Sequence, residues 1–458
     1  MRPRSALVGA LLALTAACAT TTTAPPGPSP DTSRPLLVAS GADLTTPGSP
    51  AGTGVRRTLI DEWNRLHPTR PARIVELPNA TDDQRSELIG ALQSGSATYD
   101  VVNLDITWIP EFADSRLIRP LPASALPDDD FLPQAAAAGR RNGRTYAVPF
   151  NTDVGLLYYR TDDLLKSGTR PSDLAAFHSV GDLLAAVRPL SHNTYTTQLA
   201  AYEGLTVNTL EAFWTAGVNL VDGEGRYTGT EDDLRKGLDE LNRLTIANYL
   251  NPASLEADES VSLAQFTQGA SVLMRSWPYA YNRLDAALDP SSPLTRFGVA
   301  RLPGVAALGG QSLGVAATST RPDDAAELIR FLTSRSSQRA LLQAGFAPAR
   351  RSAYGVEDSA CTAANPAAWY YDRPVRKGSE PSASPSASPS REGRRPGYTT
   401  LLWCALRDAR ARPATAHYVT FTRLLQREVH RMLATHDPGV DVTARRLQER
   451  LARALGGR

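Results

Sequence analysis

Polar and aromatic side chains follow several apolar runs of this 458-residue chain, close to the points where predicted strands end. They are Asp43, Asp105, Trp108, Asn151 and Asp153. Carboxylates and amides hydrogen-bond polar groups, and an indole offers a flat apolar face, so these residue types could together bind a small polar molecule. Binding of that kind requires no covalent chemistry.

The elements expected to position these residues alternate between strands and helices. Apolar runs at 36–40, 72–77 and 101–104 predict strands, whereas 57–66 and the stretch from Thr81 to Gly95 predict helices. Alternation at this spacing favours a parallel sheet covered by helices. Ligands of such sheets bind at the carboxyl ends of the strands, which is where the polar residues stand.

Helical patterns dominate between 162 and 288, including 205–220 and 231–244. Strands are predicted at 297–302 and 313–317 with a loop over 304–310 between them, and helices from Pro322 and over 443–455. The letters Gly310-Gln-Ser-Leu-Gly314 fit a nucleophile elbow. An elbow needs a helix directly after the serine, whereas a strand is predicted here, so the match is a decoy.

The N-terminus carries a secretory signal: two arginines, nine apolar residues and a small-residue stretch ending at Cys18. It resembles the lipobox of bacterial lipoproteins, with Leu14 four residues before the cysteine instead of three; ordinary cleavage after Ala19 is the alternative. Residues 1–18 would form the leader and 19–35 a flexible tether. Lipidation of Cys18 leaves Cys361 and Cys404 as an even pair for one disulfide, the alternative being two buried thiols.

Composition narrows the class of protein. About 420 residues after the tether suffice for two or three domains. A net charge of +2 gives no field that would attract nucleic acid, and no second apolar run is long enough to span a bilayer. The six histidines are scattered, and neither a zinc motif nor a phosphate-binding loop occurs, so no metal or cofactor is expected.

Several segments resemble, in order, extracellular solute-binding proteins of sugar ABC transporters. Examples are Gly143-Arg-Thr-Tyr-Ala-Val-Pro-Phe-Asn-Thr-Asp153 and Phe266-Thr-Gln-Gly-Ala-Ser-Val-Leu-Met274. Further matching segments are 99–113, 117–121, 156–159, 277–279, 308–310, 331–334 and 412–418. The stretch 202–208 is most similar to the trehalose/maltose subgroup. The resemblance covers nearly all of 35–433, apart from a Ser/Pro-rich insert at 379–396.

The resemblance implies an α/β fold of two lobes, each a sheet flanked by helices, with the ligand in the cleft between them. Lobe one would take 36–152 and 306–346, and lobe two 153–305 and 347–458. The protein would be a monomeric, membrane-anchored lipoprotein on the extracytoplasmic face, and no enzyme. It would capture a disaccharide or oligosaccharide, with an α-glucoside such as trehalose or maltose favoured, and deliver it to the transmembrane subunits of an ABC permease.

The resemblance also assigns candidate ligand-binding residues. They are Asp43, Asp105, Trp108, Asn151, Asp153, Trp277, Tyr279, Gly310 and Arg412. Trp277 matches the stacking aromatic of the family and Arg412 an arginine that reaches into the cleft. Caps, turns and ordinary packing are the structural alternatives, and for Glu203 the helix cap is favoured.

Three other functions stay open at this stage. Asp105 and Asp153 facing one cleft could serve as the acid and nucleophile of a glycoside hydrolase. A solute other than a sugar is the second alternative, and a sensor module that meets partners other than a permease is the third.

Overall fold

The computed structural model describes residues 34–41, 54–78, 81–95, 99–187, 194–246, 249–288, 294–373 and 396–456. The leader, Cys18, nearly all of the tether, Asp43 and nearly all of the Ser/Pro-rich insert lie outside these residues.

Fifteen strands lie within the described residues. They are β1 (Leu36–Ser40), β2 (Ala72–Glu76), β3 (Val101–Asp105), β4 (Ile118–Arg119), β5 (Arg140–Arg141), β6 (Arg144–Thr145), β7 (Ala147–Val154), β8 (Leu156–Arg160), β9 (Tyr195–Thr196), β10 (Leu273–Ser276), β11 (Phe297–Arg301), β12 (Ala307–Ala316), β13 (Ala347–Pro348), β14 (Tyr370–Asp372) and β15 (Arg410–Ala411).

Sixteen α-helices accompany them in the same part of the chain. They are α1 (Val55–Leu66), α2 (Thr81–Ser94), α3 (Ile109–Asp114), α4 (Pro133–Ala138), α5 (Thr161–Lys166), α6 (Val180–Ala186), α7 (Glu203–Thr215), α8 (Glu231–Ile246), α9 (Glu259–Thr267), α10 (Ala280–Ala287), α11 (Pro322–Leu332), α12 (Arg335–Ala344), α13 (Arg351–Tyr354), α14 (Pro396–Asp408), α15 (Tyr418–Thr435) and α16 (Val440–Leu455).

Two main sheets organise these elements. The first has eight strands, in the order β13-β7-β12-β3-β1-β2, with β4 and β15 also paired to β12. The second has five strands, in the order β14-β11-β8-β10-β9. This is the predicted α/β architecture of two sheets flanked by helices.

Side-chain alternation along the strands explains why helices cover both faces of each sheet. In the first sheet, Val38 packs with α1, α11 and α12, whereas its neighbour Ala39 packs with α2 and α3. In the second sheet, Leu157 packs with α7, α8, α15 and α16, whereas Tyr158 packs with α10 and α14.

The chain passes between the two sheets at short connections. Gly155 alone separates β7 in the first sheet from β8 in the second. A second crossing leads from β11 through 302–306 into β12. The backbone N–H of Gly155 donates to the carbonyl of Ala307 at 3.3 Å, so these two crossings are bonded to each other. The lobe boundaries given by sequence stay a prediction.

Three sequence predictions about local structure are wrong. The first sheet is mixed, because β12 runs antiparallel to both β3 and β7, although β1 is parallel to β2 and β3 as predicted. The predicted loop over 304–310 is partly strand, because β12 already begins at Ala307. Helix α7 begins at Glu203, which therefore does not cap it, and its N-cap position is Tyr202.

Three further findings bear on function. None of the helices in the described ranges is both long and apolar enough to cross a membrane. Ser312 lies inside β12 between two paired strands, so its Gly-x-Ser-x-Gly letters form no nucleophile elbow. A disulfide joins Cys361 to Cys404, which is itself buried in α14.

Candidate functional site

A cleft of about 200 Å³ lies where residues from both sheets and their helices face each other. Eight of the nine residues that sequence proposed for ligand binding line it. They are Asp105, Trp108, Asn151, Asp153, Trp277, Tyr279, Gly310 and Arg412. The ninth, Asp43, lies outside the described residues. The structure therefore brings the eight together, and their role in binding stays a prediction.

Arg412 lies between two carboxylates that come from different parts of the fold. Its Nη2 donates to both oxygens of Asp105, at the end of β3, at 2.9 Å each. Its Nη1 donates to Glu203, at the start of α7, at 2.7 Å. The guanidinium thus fastens an element of the first sheet to a helix that packs on the second.

Further hydrogen bonds hold both carboxylates in place. Glu203 also accepts from the hydroxyls of Tyr418, at 2.5 Å, and Thr422, at 2.8 Å. Asp105 accepts from the backbone N–H and the hydroxyl of Thr107. Burial raises the pKa of Glu203 above its usual value, and Arg412 acts in the opposite direction.

Asp153 is a carboxylate of a different kind. The hydrogen bond found to its side chain comes from Asn151, whose Nδ2 donates to Oδ2 at 3.2 Å. Burial raises the pKa of Asp153 to about 7, against the opposing effect of the Arg56 guanidinium. Asp153 is partly exposed to the cleft, where a ligand hydroxyl could donate to its carboxylate.

Trp277 provides the aromatic surface of the cleft. Its indole N–H donates to Glu259 at 3.2 Å, and Tyr202 donates to the same carboxylate at 2.8 Å. The guanidinium carbon of Arg275 lies 3.9 Å from the centre of the Trp277 ring. The ring is therefore held at one face and one edge, and the surface left uncovered lines the cleft.

The other two predicted aromatic residues lie mainly in packed surroundings. Trp108 is 5% exposed, precedes α3 and stacks on Phe112 at 6.4 Å. Tyr279 precedes α10 and is half-buried. Trp108 thus joins α3 to the first sheet by packing, and it also lines the cleft.

Gly310 is required by a close approach of two strands. Its φ is +120°, and a Cβ there would lie 2.4 Å from the carbonyl oxygen of Asn151 in β7. At Gly309, a Cβ would lie 3.3 Å from the edge of the Trp277 ring. The two glycines belong to β12 rather than to a loop, and they allow this strand to pass closely beneath the cleft.

Sequence reasoning missed several polar residues of the site, among them Arg56, Gln311 and Glu259. Arg56 is 8% exposed and donates to Gln311 at 2.8 Å and to the carbonyl of Gly41 at 2.7 Å. No local pattern marks them. The one available signal was an arginine at the start of α1 on the side that carries Leu59 and Ile60.

Within the described part of the chain, no group of three His, Cys, Asp or Glu side chains is arranged to hold a metal ion. The lining residues can bind a ligand through direct hydrogen bonds and through stacking on an aromatic ring.

Several solved structures share the fold. A maltose-bound MalE3 from T. maritima aligns with a TM-score of 0.72 at 24% identity, covering 92% of this chain and 99% of that one. A complex of UgpB from Mycobacterium tuberculosis with glycerophosphocholine aligns with a TM-score of 0.70 at 19% identity, covering 92% and 98%. These alignments show the two-lobe fold of periplasmic binding proteins.

Sequence comparisons identify the family. A probable ABC transporter-binding protein from Deinococcus radiodurans is 30% identical over 62% of this chain and 70% of its own length. A probable amino-acid ABC transporter periplasmic-binding protein from Sinorhizobium fredii is 28% identical over 66% and 72%. The family profile described as bacterial extracellular solute-binding protein matches residues 59–368. The chain therefore belongs to the family of bacterial extracellular solute-binding proteins.

Proposed function

We propose that this protein is the membrane-tethered binding subunit of an ABC importer and captures a disaccharide or short oligosaccharide between its lobes. An α-glucoside such as trehalose or maltose is the favoured ligand. The observation that carries this proposal is the composition of the cleft, which is lined by an immobilised indole together with carboxylates, three side-chain amides and two guanidinium groups.

The chemistry of sugars matches these groups. A sugar ring has an apolar face that packs on an aromatic ring, and a rim of hydroxyls that donate to carboxylates and accept from guanidinium groups. Trp277 supplies the aromatic surface, Asp153 and Glu259 supply acceptors, and Arg56 supplies N–H donors. Specificity then depends on hydroxyls that would leave buried polar groups unpaired if they were absent.

Capture requires the cleft to open and close. Arg412 bonds Asp105 of the first sheet and Glu203 of α7, so opening the cleft stretches or breaks one of these bonds. Closing around a sugar excludes water and strengthens every hydrogen bond inside. The closed form would dock on the permease, in keeping with the ABC transporter function named for the Deinococcus relative.

A glycoside hydrolase is the less favoured function, because both oxygens of the Asp105 carboxylate already accept hydrogen bonds within the protein. Both of its oxygens accept from Arg412, and one of them also accepts twice from Thr107. Hydrogen bonds from a guanidinium withdraw electron density from both oxygens and make the carboxylate a weaker nucleophile. We therefore assign the protein a binding role without catalysis.

Attachment to the membrane would follow from Cys18. Lipidation of this residue would hold the protein on the extracytoplasmic face through two acyl chains, which bind firmly where one does not. Replacing Cys18 with serine should release the protein from the membrane fraction into the medium. Continued association of the C18S protein with membranes would contradict the lipid anchor.

Isothermal titration calorimetry tests the ligand. The protein is titrated with trehalose, maltose, maltotriose, cellobiose, glucose, glycerophosphocholine and amino acids, and the recovered sugar is checked for cleavage. One intact sugar that binds saturably, at micromolar or lower dissociation constant, would support the proposal. Binding of glycerophosphocholine or an amino acid alone would move the assignment to a non-sugar solute, and no binding at all would favour a sensor.

A further inference from the structure

Arg275 and Glu211 form a buried ion pair beneath the cleft. Arg275 donates to the two Glu211 oxygens through Nη2 at 2.8 Å and Nε at 3.1 Å, and the two side chains are 1% and 7% exposed. Removing two charges from water is costly, and a buried pair is tolerated only where hydrogen bonds satisfy it well. The bidentate geometry meets that condition, but it leaves open why a charged pair is placed there.

One end of this pair contacts Trp277, which lines the cleft. The Arg275 guanidinium stacks on Trp277 at 3.9 Å from the ring centre. A planar guanidinium over an aromatic face is attracted to it and also blocks tilting of the ring. Arg275 therefore fixes the orientation of the indole on which the sugar is proposed to stack.

The other end touches both chain crossings. Glu211 accepts from the backbone N–H of Ala307, the first residue of β12, at 2.9 Å. A Cβ on Gly155, between β7 and β8, would lie 2.4 Å from Glu211 and 3.0 Å from the Arg275 Nη2, so the pair lies directly against the first crossing. Closure between lobes changes the backbone angles of a few residues at such crossings.

We propose that Arg275 and Glu211 are positioning residues that couple the seating of a ligand on Trp277 to the two crossings between the sheets. The identity of the ligand in this proposal rests on the proposed sugar-binding function. The coupling between Trp277 and the crossings rests on the geometry of the contacts alone. Movement of the indole is passed to the Glu211 carboxylate through Arg275, and from Glu211 to the Ala307 amide. The Glu211 carboxylate thus accepts from the Arg275 side chain and the Ala307 main-chain amide at once.

The test compares three variants of the full-length protein with the wild type. R275M/E211Q removes both charges at similar volume, and its glutamine oxygen can still accept from Ala307. R275K keeps a cation beside Glu211 but removes the planar group that stacks on Trp277. The matched control is R70M, because Arg70 also lies over a tryptophan, Trp63, at 6.0 Å and pairs with Asp324. Neither Arg70 nor Trp63 is among the described residues that line the cleft, and Arg70 lies between α1 and β2, outside both crossings.

Two readouts are taken: calorimetric titration with trehalose and maltose, and hydrogen–deuterium exchange of peptides that cover Gly155 and Ala307 in the ligand-free protein. We expect R275M/E211Q to bind the sugar at least tenfold more weakly and to exchange at least tenfold faster at the crossings. R275K should bind more weakly with the crossing amides still protected. R70M should match the wild type in both readouts.

The proposal is overturned if R275M/E211Q binds within twofold of R70M, if its crossing amides exchange like those of the wild type, or if R275K keeps full affinity. If R275M/E211Q does not fold, R275K decides through the same comparison. If the wild type binds neither sugar, the proposed sugar specificity fails separately, and the exchange measurement on ligand-free protein still decides the coupling.

Discussion

Replacing Asp153 with asparagine should change how the stability of the protein depends on pH. Burial raises the pKa of this carboxyl from 3.8 to about 7, so the folded protein holds a proton that the unfolded chain has already released. Between pH 4 and pH 7 the folded state therefore binds more protons than the unfolded state. The free energy of unfolding must fall as pH rises through this window, because stability follows the difference in bound protons.

The magnitude follows from the two pKa values. Each pH unit between them is worth about 1.4 kcal/mol, so ionising Asp153 in the fold removes stability on the order of 4 kcal/mol by pH 8. The D153N protein lacks this loss. Its advantage over the wild type should be small at pH 4.5 and should grow by about 3–4 kcal/mol between pH 4.5 and pH 8.

Urea unfolding of both proteins without sugar, at five pH values from 4.5 to 8.5, measures this difference. D163N is the control, because hydrogen bonds from Lys166 and Arg160 outweigh burial and lower the pKa of Asp163. That carboxylate contributes stability at neutral pH which is lost as pH falls, so the D163N difference should have the opposite sign. A D153N difference that stays constant across the range would refute the assignment of a raised pKa to Asp153.

Three further outcomes follow from contacts described above. Trp277→Ala should weaken sugar binding by about 2–3 kcal/mol, or roughly 30- to 150-fold, because it removes the apolar surface of the cleft. Calorimetry of a variant whose circular dichroism is unchanged measures this loss. An affinity within threefold of the wild type would exclude Trp277 from the binding site. Arg412→Met should lower the free energy of unfolding by about 3–5 kcal/mol, because it leaves two carboxylates without their cation; a loss below about 1 kcal/mol in urea unfolding would contradict this reasoning. Replacing both Cys361 and Cys404 by alanine should lower the free energy of unfolding by about 4 kcal/mol, because the bridge closes a loop over a separation of 43 residues. Equal urea-unfolding midpoints for the variant and the wild type would show that the bridge does not form.

The position of Asp105 at the end of a regular strand could be predicted from the sequence. Asp105 was assigned because it directly follows an apolar run, and strand ends of a sheet meet at one edge. Trp277 and Arg412 could be named only through resemblance to a family, since their own neighbourhoods carry no pattern that marks a site.

Residues whose role depends on a partner far away along the chain could not be identified from the sequence. Glu203 looked like a helix cap because a cap is a local feature, but its partner Arg412 stands 209 residues further along the chain. Arg56 likewise meets Gln311 across 255 residues. The glycines before Gln311 suggested a loop, whereas their purpose is to let β12 lie against β7.

The bridge between Cys361 and Cys404 closes a covalent ring that contains β14 and the first turns of α14. A protease that cuts the backbone anywhere inside this ring produces two polypeptides that remain one molecule. Such a nicked protein would run as a single band on a non-reducing gel and as two bands after reduction. A cut between β14 and α14 would leave β14 on the N-terminal fragment and all of α14 on the C-terminal fragment. Both elements would stay in their shared core, because the bridge still joins the two fragments.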